Sequence, residues 1–206
     1  MEREPVPNNQ NADRVLQKLI HLACRLGASG AKVISTEHIS LEDKLADLCR
    51  EPRCENYGLS ISCPPHVSGP SRLRKLLKSY KYAIAIKIDI PLAVLLSTER
   101  KDIMKLLHEI VADVEQTAFK TGYLNSRSFA GGSCKEIFCH DFADCRVLAE
   151  GGGCRNPRHA RPSMSGFGIN VSKLMQAAGW KLKRYDSEAD PDRVSTAPIC
   201  GLILVG

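Results

Sequence analysis

The chain has 206 residues, of which 43% are apolar and 25% charged, the balance of a soluble globular protein with one sizeable core. No eighteen-residue apolar stretch exists, because the longest candidate, Tyr82 to Leu96, is broken by Lys87, Asp89 and Pro91, which excludes a membrane helix. The formal charge of +6 counts every cysteine as neutral; two metal centres, each of charge 2− when held by four thiolates, would lower it to about +2, so it is weak evidence for an external polyanion.

Residues 1–10 read as a polar, disordered arm containing Pro5 and Pro7, with no apolar signal segment. Asn11 to Leu26 carries Val15, Leu16, Leu19, Ile20 and Ala23 at helical spacing, and Gly27 offers a stop. Ala31 to Ser35 predicts a short strand. Ser40-Leu41-Glu42-Asp43 predicts a capped helix with Leu41, Leu45 and Leu48 on one face, running into Cys49. An irregular loop fills 49–66. A basic helix follows Pro70, with Arg72, Arg74, Lys75 and Lys78 around Leu73, Leu76 and Leu77.

The clearest strand is next. Ile84, Ile86, Ile88 and Ile90 alternate with Ala83, Ala85, Lys87 and Asp89, period two with one face buried. Thr98 to Lys120 is a long amphipathic helix, and Tyr123 to Ala130 a returning strand. Val171 to Ala178 forms a helix closed by Gly179. Trp180 to Tyr185 and Thr196 to Val205 read as the last two strands. This order predicts an α/β (α+β) protein, with a single mixed sheet flanked by helices and residues 11–206 forming one domain. Two cysteine-rich loops should lie close together at the ends of its elements.

Seven of the nine cysteines fall in those loops. Cys49, Cys54 and Cys63 make the first group, ending in Cys63-Pro64-Pro65. Cys134, Cys139, Cys145 and Cys154 make the second, opened by Gly131-Gly132 and closed by Gly151-Gly152-Gly153. Thiolates that must converge on one point need a chain that curls tightly, which glycine and proline provide. The absence of a signal segment points to the cytoplasm, where thiols stay reduced, so an odd cysteine count argues for metal rather than disulfides.

In the second group the cysteines are separated by four, five and eight residues. Zinc ribbons favour closer, paired knuckles, whereas iron–sulfur loops accept irregular spacing. A 4Fe–4S cluster is therefore the leading assignment and zinc the alternative. The first group is one thiolate short. Cys24, Cys200, His66 or His140 can supply the fourth ligand, or the position stays open to a substrate. Cys24 and Cys200, which stand alone, read first as small buried hydrophobes. Arg155, Arg158 and Arg161, beside Cys154, either bind an anionic substrate or cofactor or neutralise the charge of the cluster.

The run Cys49…Cys54…Tyr57-Gly58…Cys63-Pro64-Pro65, then Gly132-Ser133-Cys134, then Cys154-Arg155…Arg161-Pro162-Ser163-Met164…Gly168-Ile169, resembles a family of predicted metal-binding proteins of anaerobic bacteria and archaea. The resemblance spans about residues 14–205 and implies a cytoplasmic iron–sulfur protein with all seven clustered cysteines as ligands. In that family the first cysteine pair is often closer and the second group more compact, and two single positions depart as well. Ser165 follows Met164 where an acidic residue is usual, and Asn170 stands where aspartate is common, so no acid–base role carries over to that helix.

Three functions follow. One is electron transfer through one or two 4Fe–4S clusters to a redox partner protein. Another is an enzyme whose three-cysteine cluster presents an open iron to a small-molecule substrate. The third is a zinc-stabilised module binding nucleic acid, against which stand an aromatic content of 5% and a basic helix that reads as a solvated outer face.

Overall fold

The structure is a computed structural model that describes residues 9–181 and 195–206. The strands are β1 (Gly30–Ser35), β2 (Tyr82–Pro91), β3 (Arg127–Ala130) and β4 (Thr196–Val205), in the order β1-β2-β4-β3. The helices in chain order are α1 (Asn9–Arg25), α2 (Asp43–Asp47), α3 (Gly69–Leu77), α4 (Leu92–Leu95), α5 (Arg100–Lys120), α6 (Cys134–Phe138), α7 (Arg146–Ala149) and α8 (Val171–Ala177). The α/β class and the single sheet are as expected. The pairing is not mixed: all three neighbouring pairs run antiparallel. The reason is topological. β4 enters between β2 and β3, and β2 lies between β1 and β4, so neither pair of strands that runs in the same direction touches.

β2 lies in the middle of the sheet, from Tyr82 opposite Val205 to Pro91 opposite Thr196. Its isoleucines Ile84, Ile86, Ile88 and Ile90 pack with Leu16 and Leu19 of α1 and with Leu107, Ile110 and Val111 of α5. The opposite face was expected to meet solvent, yet Ala83 and Ala85 are fully buried there with Leu73 of α3, Leu174 and Met175 of α8, and Phe167. Over Ala83–Ile86 the alternation therefore separates large from small side chains, whereas further along the expected pattern holds, with Asp89 exposed between buried Ile88 and Ile90. Small residues let the second layer sit close. On the isoleucine face Gly201 of β4 lets α5 sit close, since a Cβ there would run into Val111 Cγ1 and lie 3.3 Å from Leu107 Cδ1.

Several boundaries differ from the sequence expectation. α1 begins at Asn9, inside the expected arm; residues 1–8 lie outside the described residues. The expected cap at Ser40 does not form. Leu41 bridges to Ile169, and Glu42 becomes the N-cap of α2 without a side-chain cap bond. Gly168 holds a φ of 65° against the Glu42 carbonyl, an approach that a Cβ would block. The strand expected over Trp180–Tyr185 falls mostly outside the described residues, and Trp180 and Lys181 are not strand. No helix among the described residues is long and apolar enough to cross a membrane.

Candidate metal centre

The first cysteine loop curls on its own backbone. Cys54 N–H donates to Cys49 O at 3.0 Å, Gly58 N–H to Pro64 O at 2.8 Å and Cys63 N–H to Ser60 O at 3.1 Å. Gly58 makes the turn with φ of 80°. As a result Cys49, Cys54 and Cys63 all line one cavity of about 610 Å³. Its other walls are mostly apolar and carry no cationic side chain: Leu45, Leu48, Pro64, Ile169 and Val171 contribute, and Asn56, Tyr57, Ser133, Glu136 and Asn170 supply the polar groups.

The second loop encloses a smaller cavity of about 300 Å³, and all four of its cysteines line it. Cys134 opens α6, Cys139 follows its last residue, and Cys145 is the N-cap of α7. Cys154 follows the glycine run, and Arg146 straps that run down by donating from Nε to Gly153 O at 2.6 Å and from Nη2 to Cys154 O at 3.2 Å.

The two cavities share a wall built from neighbours in sequence. Ser62 Oγ donates to Cys134 Sγ at 2.9 Å, and Cys63 Sγ donates to Ser133 Oγ at 3.3 Å. The expected meeting of the loops is therefore direct contact. Ser60 and Ser62 have no place in the sequence reading, and Ser133 enters it only within the Gly132-Ser133-Cys134 motif, although each stands within three residues of a clustered cysteine. Asn156 was missed as well. Its N–H lies 3.3 Å from Cys154 Sγ and its Nδ2 3.5 Å from Cys139 Sγ.

The thiols sense one another. Burial raises the Cys49 pKa, and Cys54 and Cys63 add repulsion to its charged form. Burial pushes Cys134 up to about 11, against donation from Ser62 and Ser60 and with further repulsion from Cys63 and Cys154. Cys145 moves the other way. Burial would raise it, but the backbone N–H groups of Ile61, Leu148 and Val147 and the charge of Arg155 favour its thiolate and bring it below the usual value. The Ile61 contact again ties the first loop to the second cavity.

The remaining candidates are placed elsewhere. Cys200 is buried in β4, its thiol pushed up to about 12 chiefly by burial. Cys24 is exposed on α1, not buried as expected. His66 contacts Gly58 O at 3.3 Å on the outside of the loop, and His140 pairs with Asp141. None of these four lines the first cavity. Among the arginines, Arg155 lines the second cavity, donates to Asp144 O at 2.9 Å and stacks 4.1 Å from the Phe142 ring centroid. Arg161 also lines it, but its guanidinium is committed to Glu115 and Ser128. Arg158 lines neither cysteine cavity and pairs with Asp113 at 3.5 Å.

Both loops fall within the stretch, residues 32–205, matched by the family model described as predicted metal-binding protein (DUF2284). The chain belongs to that family. No curated protein and no solved structure matches it. In this DUF2284 member Asn170 has a local role. Asn170 Nδ2 donates to Glu42 Oε1 at 2.7 Å while Oδ1 accepts from Lys173 N–H at 3.0 Å, capping α8. An ionised aspartate has no donor for Glu42 and would set two carboxylates together.

The donor set suits a soft metal, since thiols dominate both cavities. Among the described residues no three His, Cys, Asp or Glu side chains stand close enough to share a single ion. A tetrahedral zinc bound at about 2.3 Å per thiolate needs sulfurs about 3.8 Å apart. A group with several irons, each taking one thiolate, suits more widely spaced sulfurs around a cavity.

Proposed function

We propose that this DUF2284 protein is a cytoplasmic iron–sulfur protein carrying two 4Fe–4S clusters. The four-cysteine cavity serves electron entry from a redox partner protein, and the three-cysteine cavity receives a small-molecule substrate. One observation carries the reading: each cysteine group lines its own cavity, and the two cavities meet at the Ser62–Cys63 and Ser133–Cys134 wall. Cys134, Cys139, Cys145 and Cys154 would hold the first centre, Cys49, Cys54 and Cys63 the second. When bound, such clusters supply one-electron chemistry and, where a thiolate is missing, an iron open to an exogenous ligand.

The residues around them have distinct tasks. Asn156 and Ser62 direct hydrogen bonds at cysteine sulfurs of the four-thiol cavity, contacts that raise a cluster's potential by stabilising its more negative state. Arg155 offsets negative charge there. In the larger cavity Asn56 Nδ2 donates to Glu136 Oε2 at 3.0 Å and Arg100 Nη2 to Oε1 at 3.0 Å, so that carboxylate is held in place from both sides. With a mostly apolar lining and no cationic side chain in it, this cavity favours a neutral substrate with an apolar body over an anion.

The test is the double substitution Cys24→Ala and Cys200→Ala. Neither thiol lines the first cavity, so iron content, sulfide content and the reduced-state resonance spectrum should all match wild type. Loss of about four irons would mean that one of the two closes the cluster, leaving an electron carrier without an open iron.

A further inference from the structure

We infer that a third cavity, of about 710 Å³ between α3 and the edge strand β3, binds a phosphorylated small molecule of the nucleotide class. The inference goes beyond the proposal above and does not depend on it. In β3 the two-residue period puts Arg127 and Phe129 on one face, the face that packs with α3. From α3, Arg72 and Lys75 reach the same cavity. None of these three cations has an ion-pair partner among the described residues, whereas their neighbour Arg74 is paired with Asp43 at 2.7 Å.

Glu115 is the one carboxylate in the described lining, and it is already taken. It accepts from Arg161 Nε at 2.7 Å and from Ser128 N–H. Three uncommitted positive charges therefore sit around one cavity, and their mutual repulsion is relieved by an anion. Two are guanidinium groups, the side chain whose planar fork matches phosphate oxygens. The basic helix is thus not merely a solvated face.

Beneath the charges the cavity is apolar. Leu73, Phe129 and Phe167 are 1%, 4% and 7% exposed, and the two rings meet edge to face at 5.0 Å between centroids. Half-buried Leu76 and Pro162 extend that apolar lining to the accessible wall, which a bare inorganic anion would leave wet. A planar apolar body carrying phosphate satisfies both floor and rim, and the volume lies in the range of small-molecule sites, roughly 300–1,000 Å³. Arg161 and Pro162 belong to the walls of both this cavity and the four-cysteine cavity, so the ligand would lie directly beside the latter.

Calorimetric titration of the anaerobically purified protein with ADP tests this, with pyrophosphate and adenosine as separate arms. ADP should bind in the micromolar range, and more tightly than either fragment. The pair Arg72→Ala and Arg127→Ala, both exposed and without an ion-pair partner among the described residues, should weaken ADP binding by about tenfold or more. The control pair Lys18→Ala and Lys120→Ala, exposed on α1 and α5 and outside the cavity, should leave it unchanged. No ADP binding, equal affinity for ADP and pyrophosphate, or equal loss in the control pair would each overturn the inference.

Discussion

Replacing Cys54 with alanine, or separately Cys145 with alanine, is expected to remove about half of the bound iron and sulfide, and the double variant should hold almost none. Cys54 is exposed and Cys145 only half-buried, so neither substitution opens a hole in the core. The two single variants should retain different reduced-state spectra, because one keeps the four-thiol centre and the other the three-thiol centre. Metal analysis of the three proteins, with circular dichroism to confirm the fold, is the check. If either single substitution empties both cavities, the cysteines serve one shared centre and the two-site assignment is wrong.

The largest effect on stability is expected at His108. Its side chain is fully buried and joins the scaffold to both flanks of the second cysteine loop. Arg161 N–H donates to Nδ1 at 3.3 Å, so the proton sits on Nε2, which donates to Gly131 O at 3.2 Å. The ring also meets Phe138 edge-on at 5.6 Å. His108→Ala leaves two backbone groups without this partner and opens a cavity, at a cost of about 3–4 kcal/mol. Burial, assisted by the charge of Arg161 and opposed by the acceptors Gly131 O and His159 O, lowers the His108 pKa from 6.5 to about 4.

The sign of the pH effect follows from that shift. Between those two values the unfolded chain binds a proton that the folded protein excludes. Stability from this group is full above pH 6.5 and falls as the pH drops towards about 4, by about 3 kcal/mol in all. Urea unfolding of wild type and His108→Ala at a series of pH values isolates it. The difference between the two proteins should shrink on acidification across this window. A constant difference would show that His108 does not lie buried and neutral.

Much of this was legible in one dimension. The spacing of Ile84, Ile86, Ile88 and Ile90 located β2, and the cysteine spacing separated the two groups that line separate cavities. What escaped was contact between distant segments. Nothing local to Ser62 says that its hydroxyl meets a sulfur 72 residues away, and nothing local to Arg161 says that Glu115 on α5 occupies its guanidinium. The cap expected at Ser40 failed for the same reason, since Leu41 is drawn into a bridge with Ile169. The burial of Ala83 and Ala85 had a visible signal that was misread: alanine beside isoleucine marks a close-packed second layer.

Iron, acid-labile sulfide and zinc analysis of the anaerobically purified protein tests the central claim most directly. Two 4Fe–4S clusters predict a brown protein with about eight irons and about eight sulfides per chain, bleached by air or chelator. A colourless protein holding stoichiometric zinc and no sulfide would contradict it.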